Sequence, residues 1–130
     1  MSNNLLTTFN DHLMEFIGDI LRVFPNSVDV LATHKTISAI RKMNPKLIIK
    51  IWKKYIADKY MTQIENNDIS FFVEKDYFED LTNMGNSEQI VQSIDRLRDP
   101  IKQMTKEDQS KSMKYMYNLS KISVLYNSQV

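Results

Sequence analysis

The residues best suited to bind a charged ligand are lysines spaced along one predicted helix. From Asn44 to Ile64 the sequence reads NPKLIIKIWKKYIADKYMTQI, which is the strongest helical pattern in the chain. At about 100° per residue, one arc of this helix is apolar and the opposite arc carries lysines. The candidate phosphate-binding residues are four lysines of this helix and Lys42 at the end of the preceding helix. The four are Lys46, Lys50, Lys53 and Lys54. Such a row could contact successive phosphates, which would make binding depend on salt.

The same lysines also fit an ordinary solvated face, because charges opposite an apolar stripe are the usual arrangement in an amphipathic helix. The range 35–59 contains eight basic residues and one acid, whereas the range 65–80 contains six acids and one lysine. Segments of opposite sign attract each other within a fold. The sequence therefore leaves open whether the basic segment is free for a partner or neutralised internally. Arginine, the usual reader of base edges, is absent from the lysine-bearing helix, so a nucleic-acid-binding version should show little sequence preference.

Residue combinations that perform catalysis are missing from the sequence. His12 and His34 belong to different predicted helices and lack the spacing of a metal site, and no cysteine is present. His12 lies beside Asp11, but neighbouring residues on a helix point in different directions and make a poor catalytic pair. The only glycines, Gly18 and Gly85, do not form a phosphate-binding loop. We therefore expect a non-enzyme with no catalytic residues, no metal site and no cofactor.

Length and composition favour one helical domain. A chain of 130 residues predicts a single domain over 1–130, and 42% hydrophobic residues suffice for a core. Two glycines and three prolines argue against a turn-rich β fold. We expect no signal peptide, because the N-terminus lacks a basic start and an uninterrupted apolar run. No stretch approaches the roughly 18 apolar residues that cross a bilayer, and the polar face of the first helix is acidic and would be repelled by anionic lipid, so we expect no membrane contact. The predicted fold is a compact all-α bundle of five or six helices.

Apolar periodicity and capping residues predict the first two helices. The first runs from about Asn4 to Val23 and stops before Pro25, which disfavours helix at the residue preceding it. The second spans Val28 to Met43 and follows Ser27, a good N-cap. The lysine-bearing helix then starts almost at once, with Asn44 as the predicted N-cap, so the two helices should meet in a tight corner.

The middle of the chain leaves alternatives open. The lysine-bearing helix loses its apolar phase near Lys59, so either it ends near Ala57 or Lys59 lays its stem along the core. We predict a hydrophobic plug or helical turn at Ile69 to Val73, because a lone strand would have no partner. A short helix is predicted from Tyr77 to Asn83.

The last predicted helices carry the candidate dimer surface. A helix capped by Ser87 keeps its apolar stripe in phase through Pro100, where it is either kinked or broken and restarted. The final helix, from about Lys106 to Tyr126, has two apolar faces, which places it either centrally or at a subunit contact. One face carries Met113, Met116, Tyr117 and Val124, and the other, the candidate homodimer interface, carries Tyr115, Leu119, Ile122 and Tyr126.

Four sequence runs resemble a group of viral proteins. The runs are FNDHLMEFIGDILRVFPNS, NPKLIIKIWKKYI, FFVEKDYFEDL and MKYMYNLSKIS. Across most of the chain they resemble small helical proteins encoded by large nucleocytoplasmic DNA viruses, including the amoeba-infecting giant viruses. The resemblance implies a setting and carries over no functional residues. It implies a protein of the virion or of the infected host cell, in the cytoplasm or the nucleus.

Two functional hypotheses follow from these patterns. The leading hypothesis is a non-enzymatic, virus-encoded interaction or structural protein that acts through helical surfaces as a homodimer, with a viral or host protein as a further partner. The alternative is a nucleic-acid-binding protein without sequence preference, which uses the basic face of the second and third helices. The alternative predicts an affinity that falls steeply with salt.

Overall fold

The protein is all-α in the computed structural model, which describes residues 2–74 and 88–129. In chain order the elements are α1 (Ser2–Val23), α2 (Val28–Met43), α3 (Pro45–Trp52), a π-helical segment (Lys53–Ala57), α4 (Asp58–Glu65), α5 (Ser70–Val73), α6 (Glu88–Asp95), α7 (Arg98–Lys102) and α8 (Lys106–Gln129). Neither described range contains a strand. The predicted all-α bundle is therefore confirmed, with α3, the π segment and α4 following one another directly in the chain.

The predicted boundaries of the first two helices agree closely with the structure. The Ser27 hydroxyl accepts a hydrogen bond from the Val30 backbone N–H at 3.3 Å, which satisfies a donor at the start of α2. Asn44 was predicted to cap the next helix, but its side chain makes no capping hydrogen bond. Instead its backbone N–H donates to the Ile40 carbonyl at 2.7 Å and closes α2. Pro45 then occupies the first helical position of α3, where its missing N–H has no cost.

The lysine-bearing helix reaches Ala57 through a π-helical segment and continues beyond it. Neither alternative drawn from the sequence, an end near Ala57 or a Lys59 stem lying along the core, included this segment. The π segment follows α3 directly, and α4 continues beyond it with a non-helical backbone at Tyr60 (φ −127°, ψ 16°). Because π winding pairs residues five apart instead of four, it changes the phase of the residues that follow. Ile56 and Ile64 are consequently buried, whereas Lys59 is exposed to solvent.

One hydrophobic core joins most of the helices. Helix α1 packs against α2, α3 and α8, and the π segment also lies on α8. Trp52 is 1% exposed, and its ring centre lies 6.2 Å from that of Phe9 in an edge-to-face arrangement. Its indole N–H donates a hydrogen bond to the Ser120 hydroxyl at 3.0 Å. Trp52 therefore connects α3 to both α1 and α8.

Hydrogen bonds between distant residues fix the corner that carries the lysines. The Asn10 side-chain amide of α1 donates to the Pro45 carbonyl at 3.1 Å. The Thr33 hydroxyl of α2, which is fully buried, donates to the Ser93 carbonyl of α6 at 3.0 Å. Since a buried polar group left without its partner is costly, these bonds hold the start of α3 to α1 and hold α2 to α6.

The short elements agree with the sequence in part. The predicted plug is the short helix α5, in which Phe71 and Phe72 are buried, so a helical turn at this position is confirmed. Helix α6 ends at Asp95, and α7, which contains Pro100, starts anew, so the helix is broken and restarted. The helix predicted from Tyr77 to Asn83 lies outside the described residues. Among the described helices, none has the length and apolarity to span a membrane.

Candidate nucleic-acid interface

The surface that we call the lysine face comprises Lys42 on α2, Lys46 and Lys50 on α3, and Lys53 and Lys54 in the π segment. All of these lysines except Lys53 are exposed. In the described part of the chain, Lys42, Lys46 and Lys50 form no ion pair with a carboxylate. Successive turns of α3 separate Lys46 from Lys50 by about 6 Å along the helix axis. The corner between α2 and α3 therefore carries three exposed lysines that have no carboxylate partner among the described residues.

Lys53 differs from the other members of the lysine face. Its ammonium group lies 2.8 Å and 3.0 Å from the two carboxylate oxygens of Asp58, and its side chain is 23% exposed. The pair follows from the π winding, which brings residues five apart to the same side of the helix. A surface pair of this kind contributes at most about 1 kcal/mol, so a phosphate could compete for the ammonium group. Lys53 is nevertheless the least available of the five lysines.

Other charges near the lysine face have partners elsewhere. Arg41 of α2 pairs with the Asp11 carboxylate of α1 and so is directed toward the helix bundle. In the acidic segment, the Asp68 carboxylate accepts hydrogen bonds from the backbone N–H and the hydroxyl of Ser70, at 3.1 Å and 2.6 Å. No carboxylate between 65 and 74 pairs with Lys42, Lys46 or Lys50. The other acids of this segment, at 76, 79 and 80, lie outside the described residues.

A tyrosine ring borders the lysine face. The Lys54 and Lys59 ammonium groups lie 5.3 Å and 5.5 Å from the centre of the Tyr55 ring, within cation–π range. The ring is partly buried and packs against the core. The sequence analysis did not identify this contact. The spacing of four residues between Tyr55 and Lys59 was the available signal, because side chains four apart are neighbours on a helix.

The predicted dimer interface on α8 faces the core of its own chain. Leu119 is 0% exposed and Tyr126 is 4% exposed, while Tyr115 and Ile122 are partly buried against the same core. Helix α8 is central in the fold, because α1, α3, the π segment and α4 all pack on it. That explains why it is apolar on more than one side. Leu119 and Tyr126 are covered by their own chain in this fold, and a homodimer contact through the partly buried Tyr115 and Ile122 stays a prediction.

A polar cluster lies in a second surface region, between α1 and α8. The Tyr115 hydroxyl donates a hydrogen bond to a Glu15 carboxylate oxygen at 3.1 Å, and the ring centres of Tyr115 and His12 are 4.8 Å apart. These residues, with Lys111 and Lys114, line a cleft of about 350 Å³. The described residues include no group of three or more His, Cys, Asp or Glu side chains that could hold a metal ion. The cluster holds α1 and α8 together at the rim of the core.

The Tyr115 cluster predicts a loss of stability at high pH. Burial, and then the hydrogen bond to the Glu15 carboxylate, raise the pKa of Tyr115 above its usual value of 10.0. Above pH 10 the unfolded chain therefore loses this proton before the folded chain does, and stability falls as the pH rises through the folded-state pKa. We expect Tyr115→Phe to show a shallower decline than the wild type in urea unfolding between pH 9 and pH 11. Parallel declines would contradict this prediction.

Comparison with known proteins gives no match from which a function could be assigned. No protein-family model matches the chain, and neither a curated protein sequence nor a solved structure is significantly similar to it. The residues described above are therefore the basis for the function proposed below.

Proposed function

We propose that this chain is a non-enzymatic binding protein that holds a nucleic acid by its phosphates, without sequence preference. The observation that carries the proposal is the exposure of Lys42, Lys46 and Lys50 on one corner of the bundle, with no carboxylate paired to them among the described residues. A row of this kind binds a polyanion with the release of counterions. The expected ligand of this protein is therefore a polymer with a repeated negative charge.

The backbone beneath the lysine face is ordered before any ligand binds. Ile48, Ile49 and Trp52 anchor α3 in the core, each 1% exposed. The bond from Asn10 to the Pro45 carbonyl also holds the start of α3 to α1. Because the backbone under the lysines is already ordered, a bound phosphate chain has to order only the lysine side chains, which reduces the entropy lost on binding.

The choice of cation favours backbone contacts over base readout. The lysine ammonium group acts as a compact point charge when it binds phosphate. Arginine instead forms the paired hydrogen bonds that recognise guanine. Helix α3 and the π segment contain lysines and no arginine, and the nearby Arg41 is paired with Asp11. Contacts to phosphates position a protein on nucleic acid but carry no sequence information. The expected ligand is therefore any accessible stretch of nucleic acid.

The resemblance to giant-virus proteins supports a setting for this activity. A nucleic-acid-binding protein of that setting would act in the virion or in the infected host cell, in its cytoplasm or nucleus. A viral or host protein partner and a homodimer remain predictions. A second copy would have to use residues other than the buried face of α8. Exposed apolar side chains on the outer side of that helix, at Tyr117, Val124 and Leu125, are available for such a contact.

Binding to a 20-base-pair duplex of random sequence between 50 mM and 200 mM NaCl tests the proposal. Three or four phosphate contacts at about 0.9 each predict a slope of about −2.7 to −3.6 for the logarithm of affinity against the logarithm of salt. The affinity should therefore fall by roughly 40-fold to 150-fold over this range. Fluorescence anisotropy with two unrelated duplexes should give equal affinities. Failure to bind both this duplex and a single strand of the same length at 50 mM, or a strong preference between the duplexes, would contradict the proposal.

A further inference from the structure

We infer that the lysine face prefers single-stranded nucleic acid to a duplex, and that Tyr55 is the platform on which one unpaired base stacks. This inference rests on the proposed function and adds to it the class of nucleic acid. It is based on the position of one aromatic ring beside the lysines, in the segment where the helix changes its winding.

The Tyr55 ring is placed where a bound strand would pass. Its neighbour in sequence, Lys54, belongs to the lysine face, and the Lys54 ammonium group lies 5.3 Å from the ring centre. The Lys59 ammonium group lies 5.5 Å from the same centre. A base attached to a phosphate held by Lys54 is therefore within reach of the ring. Cationic side chains beside an aromatic ring are the usual basis for single-strand binding.

The ring is also held in place before any ligand binds. Tyr55 is partly buried and packs against the hydrophobic core, while its neighbours Ile56 and Ala57 are 1% and 2% exposed. A tyrosine has two side-chain torsions, so a ring already fixed by packing loses little conformational entropy when a base stacks on it. The π segment thus supplies a rigid aromatic surface rather than a mobile side chain.

Stacking on Tyr55 discriminates between the two forms of nucleic acid. In a duplex the bases are stacked on each other and expose their edges in the grooves, so a flat protein ring has no free base face to contact. A single strand presents that face, and every base can use it, which keeps recognition independent of sequence. Lysine ammonium groups that move from the ring to a phosphate leave the ring face open to the base. Phosphate binding and base stacking therefore favour each other.

The test compares wild type, Tyr55→Leu and Tyr55→Phe on two probes, a 20-nucleotide oligothymidylate and a 20-base-pair duplex of random sequence. Removing one base–aromatic stack should weaken single-strand binding at least about fivefold. Duplex affinity should stay within about twofold, since the phosphate contacts of the lysines remain. Tyr55→Phe keeps the ring and should bind both probes like the wild type.

Each result separates the inference from the proposed function. Equal wild-type affinities for the two probes, or equal losses on both in Tyr55→Leu, would overturn the single-strand preference while leaving phosphate binding in place. Failure of the wild type to bind either probe would overturn the proposed function and the inference with it. Thermal unfolding shows whether each variant is folded, and Tyr55→Met replaces Tyr55→Leu if leucine destabilises the protein.

Discussion

Replacing Trp52 by alanine should lower the free energy of unfolding by about 3–5 kcal/mol. The ring is 1% exposed, so its removal leaves a cavity where α1, α3 and α8 meet, and the edge-to-face contact with Phe9 is lost. Domains of this size are stable by about 5–15 kcal/mol, so the change removes a large part of the total. Urea unfolding followed by circular dichroism measures it, with the midpoint shifted and the slope retained.

Two matched variants separate packing from hydrogen bonding at this position. Ser120→Ala leaves the indole N–H buried without its acceptor, and Trp52→Phe leaves the serine hydroxyl without its donor. Each should cost about 1–3 kcal/mol, and the double variant should cost less than the sum, because the two residues share one bond. If Trp52→Ala lowered the free energy of unfolding by less than about 1 kcal/mol, the central position of Trp52 in the core would be contradicted.

Reversing two charges on the lysine face should nearly abolish binding to nucleic acid. Each lysine–phosphate attraction is worth about 1 kcal/mol at 4 Å in water, and a glutamate turns it into a repulsion of similar size. After screening by salt, Lys46→Glu/Lys50→Glu should bind a random-sequence duplex on the order of 100-fold more weakly at 50 mM NaCl. The loss of two contacts should also make the salt slope shallower by about 1.8. Anisotropy titrations at several salt concentrations measure both quantities.

The chain offers a control with the same change of charge. Lys111→Glu/Lys114→Glu replaces two exposed lysines that line the cleft between α1 and α8, whose lining includes no residue of the lysine face. Each double variant replaces two positive charges by two negative ones and moves the formal net charge from +1 to −3. The control should retain most of its affinity. Equal losses in the two variants would show that binding follows net charge, and a specific lysine face would then be rejected.

Local patterns were sufficient to predict the helical class and most boundaries at the start of the chain. The apolar residues of α1 recur with helical spacing and Pro25 follows its end, so its position depends on neighbours in sequence. Ser27 gives the start of α2 by the same kind of local hydrogen bonding. The exposure of Lys46 and Lys50 was also predictable, because these residues lie opposite the apolar arc of α3.

The candidate site depends on a change of winding that a constant helical period does not reveal. The pair between Lys53 and Asp58 joins residues that a regular α-helix would direct to different sides. The placement of Tyr55 between Lys54 and Lys59 arises in the same stretch. The sequence showed only that the apolar periodicity is lost near Lys59. The π segment that accounts for this loss packs against α8. That contact joins residues far apart in the chain, so the local pattern did not predict the π segment.

The sequence by itself determined that this protein is helical, that lysines gather on one arc of one helix, and that α8 is apolar on more than one side. Only the tertiary structure decided what covers each apolar face. An apolar side chain carries a preference for burial but no information about which surface provides it. For Leu119 and Tyr126 that surface belongs to the same chain, so a face that the sequence offered to a second copy lies in the core.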